Sequence, residues 1–194
     1  MKIVYILLGI VIVVFIAIQA FALRSQWNIE SYPYEVEKKM KSFEIRKYES
    51  SLFTSVKLSS ASYEEGSRKG FRLLAGYIFG KNDRDEKIAM TSPVKMSLQD
   101  SLTMMFMVPK KFSRESLPKP NESRVKFKEV PEKIVAAIRF GGWVNEKKIE
   151  RYKQKLITAL ELEHINYTNN FYFLGYNAPY EFFNRKNEII VELE

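Results

Sequence analysis

The first strong pattern in the chain is an unbroken apolar run. From Ile3 to Leu23 no residue carries a charge, and only Tyr5 and Gln19 are appreciably polar. At a helical rise of about 1.5 Å per residue this run covers roughly 30 Å, the thickness of the hydrocarbon core of a bilayer. β-Branched residues dominate the run and weaken a helix in water, but lipid leaves the backbone no other way to satisfy its hydrogen bonds. The run therefore predicts a transmembrane helix.

A cleaved signal peptide, with secretion of the rest, is the alternative interpretation of this run. Ala20, Phe21 and Ala22 form a small-x-small cleavage pattern. The run is longer than the usual signal-peptide core of about 7–15 residues, which favours an uncleaved anchor. Lys2 and Arg24 flank it and orient it weakly, and we expect the following domain outside the cytoplasm. The predicted divisions are an anchor or signal peptide at 1–24, a linker at 25–33 and one domain at 34–194.

The remaining chain repeats its hydrophobic pattern. A shift of 82 residues places one alternating apolar set on another, namely Phe43, Ile45, Tyr48, Leu52 and Val56 on Val125, Phe127, Val130, Ile134 and Ile138. Each set predicts a pair of strands with one buried face. An amphipathic helix follows each pair: Ser62 begins the first, which ends near Gly80, and Asn145 begins the second, which ends near Glu163.

A strand that enters a proline turn follows each predicted helix, now at an offset of 86 residues. Pro93 and Pro179 remove backbone donors there, which places both at an edge, a bulge or a turn. Further strands are predicted at Thr103–Val108 and Glu188–Leu193, with a crossover at Pro109–Ser123. The predicted fold class is therefore α+β, a pseudo-twofold repeat of two ββαββ units. The units form a distorted antiparallel barrel with two long helices, preceded by the transmembrane helix, and a groove between helix and sheet suits an apolar ligand.

Composition narrows the possible chemistry. The chain has no cysteine and one histidine, which excludes disulfides, thiolate nucleophiles, Cys-ligated zinc and His-cluster metal sites. Its net charge is +8, and without residues 1–24 it carries 29 lysines and arginines against 23 acids. The excess suits an anionic membrane surface or a carboxylate-bearing ligand. Because the charges alternate in sign and no recognition motif is present, we expect no nucleic acid partner.

Three motifs carry a family resemblance. They are Ile88-Ala89-Met90-Thr91-Ser92-Pro93-Val94, Phe140-Gly141-Gly142-Trp143, and Tyr176-Asn177-Ala178-Pro179 with Arg185-Lys186-Asn187-Glu188. In this order and spacing the chain resembles the SOUL haem-binding protein family from about Tyr32 to Leu193. The resemblance implies two ββαββ repeats and non-covalent binding of haem, or another tetrapyrrole, in a groove beside the first helix of the domain.

The resemblance also implies the residues that form this groove. Arg68 matches an arginine that faces the ligand in haem-binding relatives and would pair with a propionate, while Phe71, Leu74 and Ala75 match the apolar face of the same helix. Tyr176 and Tyr180 belong to an aromatic patch on the loop after the last helix, where a flat amphiphile could stack. These six residues are the predicted cofactor-binding site, with haem as the cofactor. No catalytic or metal-binding residue is predicted.

Two departures from the family pattern count against the expectation that the protein binds haem. Gly76 and Glu181 stand where some relatives have lysines, so cationic partners for propionates are missing there. The single histidine, His164, lies at the end of the second domain helix, where it is typical of a residue favoured by the helix dipole.

Two other functions remain open from the sequence. One is a hydrolase of a small ester or lactone, in which Glu181 or Glu188 with a nearby tyrosine would act as general base. The other is a ligand-free interaction module at a membrane surface, which would use the basic domain and the anchor.

Overall fold

The computed structural model describes residues 2–26, 29–59, 63–99 and 101–194, which form three helices and nine strands. The helices are α1 (Lys2–Gln26), α2 (Tyr63–Ile78) and α3 (Glu146–Leu162). The strands are β1 (Tyr34–Lys39), β2 (Glu44–Tyr48), β3 (Ser51–Leu58), β4 (Val94–Ser97), β5 (Leu102–Met107), β6 (Lys126–Val130), β7 (Lys133–Gly141), β8 (Tyr167–Gly175) and β9 (Lys186–Leu193).

All nine strands belong to one antiparallel sheet. Their order across the sheet is β1-β2-β7-β9-β8-β4-β5-β3-β6. The sheet curls into half a barrel, and in the described part of the chain its two end strands, β1 and β6, do not pair with each other. The predicted α+β class is confirmed, and the barrel is an open one.

The elements follow the predicted order. After the additional strand β1, the chain runs β2-β3-α2-β4-β5 and then β6-β7-α3-β8-β9. The crossover predicted at Pro109–Ser123 lies between β5 and β6. The pseudo-twofold relation between the two halves stays a prediction.

Local sequence explains where the two domain helices begin and end. Gly80, with φ of 109°, closes α2 in a Schellman motif: the Gly80 N–H donates to the Tyr77 carbonyl and the Lys81 N–H to the Gly76 carbonyl. Asn145 caps α3, and its side chain accepts a hydrogen bond from the Lys148 N–H at 2.9 Å. The predicted cap Ser62 lies outside the described residues.

The two faces of the sheet bury separate apolar clusters. The larger cluster lies under the helices, where α2 packs on β3 and β5 and α3 packs on β7, β8 and β9. The smaller cluster is rich in tyrosine and covers the other face, with Tyr32, Tyr48 and Phe53 at its centre. Tyr32 comes from the segment predicted as a linker, and its N–H donates to the Ser92 carbonyl.

The apolar helix α1 exposes most of its side chains. Between Ile3 and Ile18 its large apolar residues are 40–72% exposed. Its segment Lys2–Gln19 is long and apolar enough to cross a membrane, although a signal sequence has the same properties. Among its described side chains, Phe15 and Gln19 contact the loop between β8 and β9.

Candidate functional site

A cavity of about 800 Å³ lies between α2 and the sheet. Side chains at helical spacing on one face of α2 form its first wall: Arg68, Phe71, Arg72 and Ala75. The Phe71 ring packs edge-on against Phe106, with 5.4 Å between the ring centroids. The helix therefore presents an apolar strip flanked by two guanidinium groups.

Alternate residues of the sheet form the second wall. In β4 and β5 the cavity-facing residues are Val94, Met96 and Met104, and in β8 and its continuation they are Phe173, Gly175 and Asn177. Because successive side chains of a strand point to opposite faces, Lys95, Met105 and Leu174 lie on the other side of the sheet. Trp143, from the turn between β7 and α3, borders the same cavity.

The charges around the cavity are mainly positive. Three arginines and one glutamate, Glu64, are among its described lining residues. The Arg68 Nε–H donates to the Glu64 backbone carbonyl at 3.3 Å. Within the described residues neither Arg68 nor Arg72 forms an ion pair with a carboxylate. Both guanidinium groups are thus available to an anionic ligand.

Arg185 supplies the third guanidinium, from the loop before β9. Its guanidinium lies over Trp143, with Cζ 4.1 Å from the ring centroid. Its Nη1 donates to the Ala178 and Glu181 carbonyls at 3.0 and 2.6 Å. Its Nε is buried without a hydrogen-bond partner. In the described part of the chain, every other buried side-chain nitrogen or oxygen has a partner. Burial lowers the pKa of Arg185, against the opposing charge of Glu181. An anion at this point would offset the cost of burying the group.

Glu181 organises the loop that carries Arg185. Its side chain is 6% exposed and accepts hydrogen bonds from Asn177 Nδ2 at 2.6 Å and from the Ala178 N–H at 3.2 Å. Asn177 Oδ1 in turn accepts from the Lys186 N–H at 2.6 Å. The Glu181 carboxylate is therefore directed into its own loop and does not line the cavity.

The structure separates the six predicted site residues into two groups. Arg68, Phe71 and Ala75 line the cavity, as described above. Leu74 is fully buried on the core face of α2, and Tyr176 lies with the tyrosine-rich cluster on the opposite face of the sheet. Tyr180 is 49% exposed and contributes its backbone carbonyl to a hydrogen bond from Gln19. Their roles in ligand binding stay predictions, and the cavity wall itself contains only the first three.

Sequence reasoning missed several lining residues that local periodicity could have indicated. Arg72 follows Arg68 by four residues, so it shares the same helix face. Asn177 follows Phe173 and Gly175 at strand spacing, whereas Tyr176 alternates with them. Arg185 stands in a motif that carried the family resemblance, but no local pattern indicates that its loop folds back on Trp143.

A buried polar network links β9 to β2 across the intervening strand β7, on the side of the sheet away from the cavity. Glu188 is fully buried and receives Arg46 Nη1 and Nη2 at 2.9 and 3.1 Å and the Tyr176 hydroxyl at 2.7 Å. Burial alone would raise the pKa of Glu188, but the hydrogen bonds and charge of Arg46 outweigh it and hold the pKa below its usual value. A carboxylate engaged in this way is a weak base. Neither Glu188 nor Glu181 lines the cavity, so the geometry does not favour the hydrolase alternative.

The single histidine lies away from this cavity. His164 follows α3 with φ of 53° and lines a separate, smaller cavity with Tyr167 and Glu194. Among the described residues, no three His, Cys, Asp or Glu side chains are grouped to hold a metal ion. The cavity between α2 and the sheet therefore suits a ligand held by apolar contact and by anionic groups.

Comparison with known proteins identifies the family of the chain. The family described as SOUL heme-binding protein matches residues 29–192. Heme-binding protein 1 of Mus musculus is 29% identical over 175 residues, which cover 84% of this chain and 92% of the relative. Heme-binding protein 2 of Mus musculus is 27% identical over 166 residues, which cover 81% and 80%.

A solved structure shares the fold at low sequence identity. The EcmrR C-terminal domain superposes with a TM-score of 0.62 and 11% identity, covering 80% of this chain and 99% of that one. At this identity the likeness shows the fold alone. The family match, in contrast, extends through almost the entire domain, and the chain belongs to the SOUL heme-binding protein family.

Proposed function

We propose that this protein binds haem, or a related tetrapyrrole, non-covalently in the cavity between α2 and the sheet, while α1 tethers it to a membrane. Membership of the SOUL heme-binding protein family supports haem as the ligand. The observation that carries the site is an apolar cavity bordered by three guanidinium groups, of which Arg185 has a buried nitrogen without a partner.

The residues present fit the size and chemistry of haem. The cavity volume lies within the range of about 300–1,000 Å³ that is typical of small-molecule sites. Phe71, Met96, Met104 and Phe173 offer apolar contact to the faces of a flat macrocycle. Haem also carries two propionate carboxylates, which Arg68, Arg72 and Arg185 are placed to attract.

In this proposal the chain binds and orients the ring without depending on its metal. Bound haem would supply an iron centre and strong visible absorption. The apolar walls exclude water from the macrocycle, and the arginines fix which edge points outward. His164 has no part in the proposed site, because it lines another cavity. We expect micromolar affinity, since one side of the cavity is open.

Spectroscopic titration of the full chain in a mild non-ionic detergent tests this proposal. We expect saturable binding of haemin and also of metal-free protoporphyrin IX. Arg68→Ala and Arg72→Ala should each weaken binding about fivefold or more, because each removes a charge-assisted hydrogen bond. Lys69→Ala is the matched control, since Lys69 is an exposed cation of the same helix that does not line the cavity. His164→Ala should leave both affinities unchanged.

The dimethyl ester of protoporphyrin IX separates the contribution of the apolar ring to binding from that of the free carboxylates. It keeps the flat apolar ring and lacks free carboxylates, so it should bind more weakly than the free acid. Its affinity should not change in Arg68→Ala or Arg72→Ala. Equal losses of ester and acid binding in these variants, or no saturable binding of any tetrapyrrole, would contradict the proposed site.

A further inference from the structure

Four aromatic side chains are exposed in the turn after β7 and in the loop between β8 and β9, two segments that both border the cavity. Trp143, Tyr180, Phe182 and Phe183 are 54%, 49%, 50% and 60% exposed, and we call them the aromatic rim. Trp143 borders the cavity itself, and its ring centroid lies 5.7 Å from that of Phe182. The other three belong to the loop between β8 and β9. Such a concentration of exposed apolar surface in one place indicates an interaction surface.

The aromatic rim is joined to the membrane-spanning candidate α1. The Phe15 ring centroid lies 5.8 Å from that of Phe182 and 6.4 Å from that of Phe183. Gln19 bonds the same loop twice: its Nε2 donates to the Tyr180 carbonyl at 3.0 Å, and its Oε1 accepts from the Phe182 N–H at 3.2 Å. One polar residue within a long apolar run thus satisfies two backbone groups of the loop.

The position of these contacts along α1 fixes the depth of the aromatic rim. The uncharged run ends at Leu23, and Gln19 and Phe15 precede that end by four and eight residues. At about 1.5 Å per residue they lie roughly 6 and 12 Å inside the apolar segment. A loop bonded to these positions therefore lies within the same apolar layer. Tryptophan and tyrosine favour the boundary between headgroups and acyl chains.

We propose that the aromatic rim inserts into the leaflet around α1, so that the cavity opens toward lipid and its ligand enters from the bilayer. This inference rests on the proposed function, because it requires a retained anchor and a cavity that takes a tetrapyrrole. In this proposal lipid contacts the aromatic rim, because α1, the helix that contacts the rim, is itself apolar and exposed. A flat amphiphile dissolved in the membrane then reaches the cavity without crossing water.

Depth-dependent fluorescence quenching tests the insertion directly. The chain has two tryptophans, so a Trp27→Phe background leaves Trp143 as the single reporter. The full chain is reconstituted into phosphatidylcholine vesicles that contain lipids brominated near the start of the acyl chain. We expect Trp143 to be quenched by the brominated lipid and protected from aqueous iodide. Quenching by iodide alone would overturn the proposal, and a cross-linked dimer through the rim would assign it to a second copy instead.

Ligand transfer tests the consequence of insertion. Vesicles loaded with haemin are mixed with vesicles that carry the protein, and uptake is followed by absorbance. Phe182→Ser combined with Phe183→Ser should slow uptake from lipid by about tenfold or more, because two large apolar groups no longer favour the bilayer. Leu162→Ser is the control, since Leu162 is 76% exposed at the end of α3. An unchanged rate in the double variant would overturn the proposal.

The equilibrium affinity for haemin in detergent distinguishes a failure of the proposed function from a failure of the proposed route through the bilayer. If neither the wild-type protein nor any variant binds haemin in detergent, the proposed function fails. If haemin binds normally but Trp143 is not quenched by brominated lipid, the bilayer route alone fails. The quenching measurement uses an unmodified rim, so it decides the question even if the double variant does not fold.

Discussion

At the scale of single residues, Glu188 is a buried carboxylate whose charge must be compensated within the protein. It is fully buried, and Arg46 holds both of its carboxylate oxygens from a strand on the far side of β7. Both charges have lost their water, so the pair stabilises the fold only while each partner is present. Each partner has a second, weaker contact: Arg46 also pairs with the more exposed Glu44 at 2.8 Å, and Lys186 lies 3.2 Å from Glu188. Removal of Glu188 therefore leaves the buried Arg46 charge only partly compensated.

We therefore expect Glu188→Gln to lower the free energy of unfolding by about 2–3 kcal/mol at pH 7, because Glu44 still pairs with Arg46 in this variant. The pKa of Glu188 is lower in the folded than in the unfolded chain, so folding favours the ionised form. Its contribution is complete above the unfolded pKa of about 4.3 and is lost as the pH falls through the lower folded pKa. Urea unfolding of the full chain in detergent from pH 7 to pH 3 measures both effects.

The exposed pair of Lys47 and Glu132 provides the control for this prediction. Their side chains are 40% and 57% exposed, although their charged atoms are 2.9 Å apart. Glu132→Gln should change the free energy of unfolding by less than about 1 kcal/mol, because water screens the pair. A difference between wild type and Glu188→Gln that stays constant down to pH 3 would contradict the proposed ionisation.

Residue roles were the hardest feature to predict from the sequence. Arg68, Phe71 and Ala75 share the face of α2 that lines the cavity, a feature that helical spacing can indicate, while their contact with a ligand stays a prediction. Tyr176 lies on the other face because it alternates with Gly175 and Asn177, which line the cavity, and the sequence alone does not show which set of alternate residues faces inward. The partner of Glu188 is distant in sequence, so no local pattern could identify it.

At the scale of elements, Gly70 lets α2 approach the sheet closely. A Cβ at Gly70 would lie 2.8 Å from Leu58 Cδ1 and 3.2 Å from Met104 Cβ. The Leu58 methyl can move, but Met104 Cβ is fixed to β5. A larger residue at this position must therefore push the helix away from the cavity wall.

We expect Gly70→Ala to destabilise the protein by about 1–2 kcal/mol, although alanine is the better helix former. Gly76→Ala is the matched control on the same helix, because a Cβ there meets only the flexible Lys81 side chain, at 3.2 Å. That variant should be neutral or slightly stabilising. Urea unfolding measures both, and the prediction is wrong if Gly70→Ala is as stable as Gly76→Ala.

Most elements could be predicted from hydrophobic periodicity. The two domain helices begin and end within about two residues of their predicted limits, because capping and glycine signals are local. The strand β1 was not predicted, since five of its six residues are exposed and no apolar alternation marks it. Its pairing with β2 depends on an existing sheet edge, which the sequence does not reveal.

At the scale of the whole molecule, the retention or cleavage of α1 determines whether the domain stays attached to a membrane or is released. We expect the protein in its native membrane to keep residues 1–24 and to resist extraction with alkaline carbonate, because an apolar helix of this length, if retained, is long enough to cross the bilayer. Intact mass measurement distinguishes this form from one cleaved after Ala22. A mature chain that starts at Leu23, and is released in soluble form, would contradict the anchor.

A variant in the middle of the run provides the control for this measurement. Val11→Asp combined with Val14→Asp places two charges in the span, each at a cost of about 2.5–3.5 kcal/mol. This variant should lose its resistance to carbonate while the domain sequence is unchanged. If it remains as firmly bound as wild type, the attachment does not depend on insertion of α1.

The open β1 edge of the sheet has a consequence for contact between copies of the chain. A bare strand edge invites other copies to pair with it and aggregate. The edge strand β1 carries Glu35, Glu37, Lys38 and Lys39 and has an irregular register between Val36 and Lys38. Charges and a local bulge are both features that discourage such pairing. The β1 edge is therefore protected against pairing with a second copy of the chain.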